Sequence, residues 1–353
     1  MKRRTLLAGT VALAGCQAVG PVHHRWPPQN DVALRRIAFG SCNDQNKPQH
    51  IWHAVLDCRP DAFLFAGDNV YASEQPWSAA RLAQAYAKQA LSPAFARLRQ
   101  TVPCMATWDD HDYGLNDGGA GFAHKEASKT EFLKFWDVPA TDPMRQREGV
   151  YSATMWGPIG QRVQIIMLDT RWFRSDLKPS DQRGAAGKER YLPDQAATKT
   201  MLGPAQWAWL QAQLQEDAQL RLIVSSIQVL AEGHGWERWG NLPLERQRLF
   251  DLIVRTRARG VVFLSGDRHI GALYQETRQV PYPLLELTSS GLTHAWTNAS
   301  EAGPNRLGGV VGELHFGTID MDWTTGQMTM ALRGPNNETW LKHTVNIDVL
   351  RAA

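Results

Sequence analysis

Between Val32 and His269 the chain repeatedly builds a short apolar run, breaks it at a tight turn, and places a charged or sulfur-bearing side chain just past the break. Val32 to Phe39 runs into Gly40-Ser41-Cys42, and Ala62 to Ala66 runs into Gly67-Asp68. Val102 to Trp108 meets Asp109-Asp110-His111-Asp112, Val163 to Leu168 meets Asp169, and Val261 to Ser265 meets Gly266-Asp267-Arg268-His269. Leu222 to Ser226 is a further run. Helical patterns over Pro48 to Asp57, Ala79 to Arg99, Pro204 to Asp217 and Leu244 to Arg259 separate them. Runs of strand length alternating with helices predict an α/β fold. Leu314 to Trp323 and Gln327 to Leu332 flank Thr324-Thr325-Gly326 as a hairpin, and with Thr339 to Ile347 they predict antiparallel strands closing the sheets. The polar, Gly-rich stretch from Arg174 to Lys199 reads as a long surface loop over the site.

The first residues read as an address rather than as fold. Lys2-Arg3-Arg4, an apolar stretch from Leu6 to Gly15 and small residues before Cys16 make an export signal over residues 1–16. The paired arginines resemble a twin-arginine signal, which exports folded proteins, and Leu13-Ala14-Gly15-Cys16 resembles a lipobox whose Cys16 is acylated. The plain alternative is a secretory signal with a chance cysteine. Residues 17–31, with Pro21, Pro27 and Pro28, read as a tether, and 32–353 as a single domain. The expected location is the periplasmic face of a Gram-negative cell, lipid-anchored to the outer membrane. The formal net charge of +3 is supplied by Lys2, Arg3 and Arg4. The remainder is balanced, which speaks against a nucleic-acid-binding surface. No later apolar run is long enough to span a bilayer.

Position then suggests chemistry. In open α/β sheets ligand groups gather beyond the carboxyl ends of strands. Cys42, Asp68, Asp110 and Asp267 would converge there, and buried like charges repel severely unless a cation lies between them. Each acid taken alone reads equally well as a helix cap. Capping, however, does not require the adjoining Cys42, Tyr71 and two histidines.

Gly-Ser-Cys42, Gly67-Asp68-Asn69-Val70-Tyr71, Trp108 to Gly114 and Ser265-Gly266-Asp267-Arg268-His269 together resemble the alkaline phosphatase D (PhoD-like) family. Those proteins are calcineurin-like metallophosphoesterases related to purple acid phosphatases. Leu168 to Arg171 and Phe132 to Trp136 also resemble family positions. The resemblance implies a metallophosphoesterase-type two-sheet β-sandwich flanked by helices. It also implies metal-dependent hydrolysis of phosphomonoesters or phosphodiesters by a two-metal centre that activates water. Asp68 would bridge the ions, Cys42 and Tyr71 would bind Fe3+, and Asp110 would bind Ca2+ (one or two ions), other divalent metals being alternatives. Asp267 and His269 would each serve one of the metals, their division left open. Asp109 reads as a ligand, as an acid behind the ligands, or as a substrate contact. Gln228 would add an oxygen to the calcium shell or touch substrate.

His111 is the candidate for protonating the leaving alkoxide, with orientation of Asp110 or Asp68 as its alternative. Arg171 offers a planar fork to phosphate or a salt bridge to Asp169. Asn69 and Asn116 would donate to substrate oxygens or simply form turns. The substrate would be a small or lipid-linked phosphoester. The alternatives are a phospholipase-like or other phosphodiesterase, or a non-catalytic metal- or phosphate-binding lipoprotein. Larger relatives carry a β-rich domain before the first metal motif, whereas here about forty residues precede Cys42. Cys58 and Cys104 read as a pair or as two buried thiols. Trp77, Trp172, Trp236 and Trp239 fall in loops, as an apolar wall for an ester group or as core.

Overall fold

The computed structural model describes residues 31–351 except Gln279, Glu301 and Ala302. The export signal, Cys16 and all but the last residue of the tether lie outside the described residues. Among those described, no helix is long and apolar enough to cross a membrane.

In chain order the strands and helices are β1 (Arg36–Gly40), α1 (Ile51–Asp57), β2 (Ala62–Ala66), α2 (Ala79–Ala90), α3 (Pro93–Thr101) and β3 (Cys104–Thr107). The short α4 (Asp110–Tyr113), α5 (Lys125–Phe135), β4 (Ser152–Trp156) and β5 (Val163–Met167) follow. A two-residue ribbon, β6 (Lys178–Pro179) with β7 (Tyr191–Leu192), ties down the Gly-rich loop. Then come α6 (Gly203–Leu214), β8 (Leu220–Ser225), α7 (Pro243–Thr256), β9 (Val261–Ser265), β10 (Gly271–Glu276), β11 (Leu284–Ser289) and β12 (Arg306–Val311). β13 (Phe316–Asp322), β14 (Gln327–Arg333) and β15 (Thr339–Asn346) end the fold.

Two mixed sheets result. One is ordered β15-β14-β13-β1-β2-β3 and the other β12-β10-β11-β9-β8-β5-β4. β2 meets β8, β3 meets β5, and β11 meets β13 and β14 across the interface, giving the two-sheet sandwich expected from sequence. The parallel strands are β1, β2 and β3 in the first sheet and β5, β8, β9 and β11 in the second. β2, β5, β8 and β9 are buried at every position, as strands covered on both faces must be. Trp52, Phe63, Phe65, Phe95 and Trp136 form one aromatic cluster where the first sheet meets its helices.

Two local expectations change. The helix expected over Ala79 to Arg99 is two helices, because Pro93 lacks an amide proton and is accepted only at a helix start. β4, β10, β11 and β12 complete the second sheet, where the sequence pattern marked no strand. Cys58 and Cys104 are buried free thiols. The hairpin around Thr324 to Gly326 is as expected, with Asp322 paired to Gln327.

Candidate metal centre

Every parallel strand delivers its next turn to one edge. Cys42 follows β1, Asp68 follows β2, Asp109 and Asp110 follow β3, Asp169 follows β5, Gln228 follows β8, Asp267 follows β9 and His294 follows β11. Four side chains at this edge sit on strained backbone. Cys42, Asp68, Asp267 and His269 have φ of 62°, 49°, 70° and 54°, a left-handed region that side-chain-bearing residues rarely enter. Such strain gathers where function over-determines the fold. Gly67, at φ 101°, admits the neighbouring turn, since a Cβ there would lie 2.5 Å from the Cβ of Asp109.

Three interlocking donor groups result: Cys42, Asp68 and His269; Asp68, Asp110 and His111; and Asp109, Asp110 and Asp267. Within each, ligand-capable atoms lie no more than 4.8 Å apart. Asp68 links the first two groups and Asp110 the last two. The phenol of Tyr71 donates to Asp68 Oδ2 at 3.2 Å, and Cys42 Sγ lies 3.6 Å from the same oxygen.

Sequence reasoning missed His294. Its Nε2 stands 3.1 Å from the Tyr71 oxygen and 3.2 Å from His269 Nε2, and Tyr71 is also 3.1 Å from His269. The Thr293 hydroxyl donates to Cys42 O at 3.0 Å and accepts from the Asp44 amide at 2.8 Å. With its one proton committed, it can only accept from His294 Nδ1, 3.2 Å away. The Nε2 lone pair of His294 therefore faces the cluster, and one phenol proton cannot satisfy two imidazoles. Donors about 2.1 Å from one ion and at right angles stand about 3 Å apart, which is the spacing of this triangle. The available signal was position: Ser290 to His294 follows the apolar run of β11 as the other donors follow theirs.

Electrostatics also call for cations. Burial, reinforced by neighbouring acids, raises the Asp68 and Asp267 carboxyls well above their usual range. Burial and Asp68 push the Cys42 thiol far up. Burial takes His269 down to about 3 and His294 down to about 4, so both imidazoles are neutral donors. Asp110 is also buried, but His111 and Arg171 outweigh the burial and lower it to about 2. Asp110 Oδ1 and Asp109 Oδ2 are buried with no hydrogen-bond partner, an arrangement that costs free energy unless a cation supplies the missing contact. The donors fit two ions. Sulfur, phenolate and imidazole suit a transition metal at one position, and an all-carboxylate shell suits a hard cation at the other.

Around this centre opens a small cleft of about 80 Å3. His111 lines it, with Nδ1 on Ser73 Oγ at 2.7 Å, Nε2 3.9 Å from Asp110 Oδ1, and its ring stacked on Tyr71. Asn116 is exposed on the cleft wall.

Other nominated residues are held behind the wall. The Asn69 amide donates to Thr107 O and to Asp112 at 2.5 Å, fixing the turn that carries Asp110. Gln228 is buried, donating to Tyr274 and Thr288 and meeting His234. Arg171 is completely buried, donating to Asp109 at 2.7 Å and Glu237 at 2.8 Å. Asp169 instead receives the Arg171 and Trp172 amides, so the Arg171 guanidinium pairs with other acids. Trp77, Trp172 and Trp239 belong to the core, and only Trp236 of the four loop tryptophans reaches the cleft.

Donors able to hold metal ions thus gather at the shared edge of a two-sheet sandwich. The sequence model of the PhoD-like phosphatases matches residues 37–332, and the chain belongs to that family. The fold is similar to a solved structure of PhoD, with a TM-score of 0.62 and 16% identity over 90% of this chain and 69% of that one. It is also similar to the purple acid phosphatase PPD1 of yellow lupin (Lupinus luteus) seeds, with a TM-score of 0.58 and 12% identity. That similarity covers 89% of this chain and 54% of the lupin protein. No curated protein matches the chain.

Proposed function

We propose that this phosphoester hydrolase works through two ions and accepts phosphomonoesters, phosphodiesters or both. The observation carrying the proposal is that donors from five strand ends (β1, β2, β3, β9 and β11) converge, most of them in linked groups with orphaned, buried carboxylate oxygens aimed inward. Cys42, Tyr71, His269, His294 and one oxygen of Asp68 would hold a ferric ion. Asp110, Asp267, Asp109 and the other side of Asp68 would hold calcium. Bound there, the ions would polarise the phosphoryl group and lower the pKa of water.

The protein's own part is placement and proton transfer. Asp117 donates its amide to Asp110 Oδ2 at 2.7 Å and fixes that carboxylate's orientation. His111, half-buried beside the cleft and braced by Ser73, is placed to give a proton to the departing alkoxide. Asn116 offers an amide to phosphoryl oxygens from the wall. Arg171 serves from behind by fixing how the Asp109 carboxyl is turned, and its charge opposes the rise that burial imposes on that acid. Export and a lipid anchor at Cys16 rest on the sequence signal, and they would set the enzyme before small or lipid-linked esters outside the cytoplasm.

Elemental analysis of the mature protein, paired with turnover of a monoester, a bis-ester and a phospholipid, tests the proposal. Bound iron and calcium with hydrolysis of at least one ester supports it. Stoichiometric metal with no turnover of any ester would favour a binding protein instead.

A further inference from the structure

One wall of the cleft is an alternating stack of arginine and tryptophan. The Arg190 guanidinium lies 5.2 Å from the Trp236 ring, and the Arg268 guanidinium lies 4.9 Å from both the Trp236 and Trp296 rings. The two indoles meet at 5.2 Å, edge to face. Four separate segments contribute: the β6–β7 loop, the turn after β8, and the turns after β9 and β11 that also carry His269 and His294. Cation–π contacts in series hold side chains that would otherwise each lose rotamer entropy on binding.

The stack is fixed to the metal donors at both ends. The Trp296 amide donates to His269 O at 2.8 Å, and its ring lies 5.6 Å from the His269 ring. Arg190 pairs with Asp117 at 2.6 Å, and the Asp117 amide holds Asp110. Yet the stack is not core. Trp296 remains 38% exposed, the one aromatic among the large hydrophobic side chains that the described residues leave open to solvent. The indole packs on Arg268, Trp236 and His269, and the part left uncovered stands at the rim of the polar cleft.

We propose that Trp296, backed by Arg268 and Trp236, is the platform for the ester's alcohol group, and that the preferred substrates are phosphoesters of planar-ring alcohols, aryl or nucleoside, over those of polyols. The proposal rests on the phosphoesterase reading of the same cleft. With phosphate at the metal donors beside His269, the first atoms of the leaving group run out along the Trp296 face. A flat ring can cover that face and still find polar edges in Asn116 and the guanidinium of Arg190. A glycerol group offers little area to stack and loses hydration against the indole. Trp296 is thus a positioning and specificity residue, with no part in proton transfer.

The test compares kcat/KM of the metal-loaded wild type, Trp296→Ala and Trp296→Phe on 4-nitrophenyl phosphate, adenosine monophosphate and glycerol phosphate. One lost stack lowers kcat/KM of the Ala variant by on the order of tenfold on both ring esters. The loss falls mainly in KM. Glycerol phosphate stays close to wild type, and Phe restores most of the loss. Metal content stays unchanged across the three proteins. A loss shared equally by glycerol phosphate, or no loss on any ester, overturns the platform and leaves the phosphoesterase reading intact. A wild type that turns over none of the esters sinks that reading and takes the platform with it.

Discussion

Replacing Arg171 by Met should damage the fold far more than it damages substrate affinity. The guanidinium is completely buried between Asp109 and Glu237, with contacts of 2.5 to 2.8 Å to the two carboxylates. Removing it leaves Asp109 with the Ser226 hydroxyl, at 2.5 Å, and leaves Glu237 with Arg174, at 3.0 Å. Burial already raises Asp109 to about 8 against the pull of Arg171. Without that pull the acid must protonate or stand uncompensated. Breaking one side of a buried pair costs about 3–5 kcal/mol, which at about 2 °C per kcal/mol for a domain of this size lowers Tm by roughly 6–10 °C. Thermal and urea unfolding measure the loss, and kcat and KM on one ester are read at a temperature where the variant is folded. Adding Asp109→Asn to Arg171→Met should return at least about 1 kcal/mol relative to additivity, because the stranded charge is gone. If Arg171→Met keeps full stability while KM rises tenfold or more, the guanidinium reaches substrate and the buried-network reasoning is refuted.

Three further outcomes are expected. His294→Ala and Cys42→Ser should each reduce occupancy of the transition-metal position and weaken any visible tyrosinate-to-iron absorption, and unchanged metal content and colour would remove both residues from the donor set. Gly67→Ala forces a Cβ to 2.5 Å from Asp109 in a left-handed turn, and the backbone alone costs about 1–2 kcal/mol; unfolding and metal content should both register it, and an unaffected variant would show the turn to be pliable. His315 is held neutral by burial, lowered from 6.5 to about 4. Because the unfolded chain then binds the extra proton first, this group's contribution makes stability fall as pH drops below 6.5 and level off near 4. His315→Asn should therefore flatten the wild-type decline between pH 6.5 and 5 by about 2 kcal/mol, and identical slopes would show that His315 does not titrate on unfolding.

Much of the centre was legible because its donors are written locally. An apolar run too short for a helix, followed by glycine or aspartate, announces a buried parallel strand and the turn past its carboxyl end. Asp68, Asp110, Asp267 and Cys42 all carry that signature, and they do meet. The positive φ at Cys42, Asp68, Asp267 and His269 left a weaker trace, since of the turn glycines Gly40, Gly67 and Gly266 only Gly67 itself takes a positive φ and the rest of the strain falls on residues that carry side chains. β10, β11 and β12 were obscure for a related reason. β11 is Leu284-Leu285-Glu286-Leu287-Thr288-Ser289, whose buried Glu286 interrupts the apolar pattern, and it is satisfied by Ser265 and by the Val229 and Leu230 amides.

Sequence alone therefore determined the strand-and-turn grammar and the residue types gathered at one edge. Tertiary structure decided which of those residues face the cavity and which are held behind it. Arg171 finds Glu237 across 66 positions, Gln228 turns to Tyr274, and His294 meets Tyr71 across 223 positions. Trp296, set beside His269 by one amide, stays open while Trp172 is buried. Strand and turn propensities act over a few residues and can be read in order. Pairing of buried charges and facing of rings are settled by which partner is within a few ångströms, and only the closed sandwich fixes that.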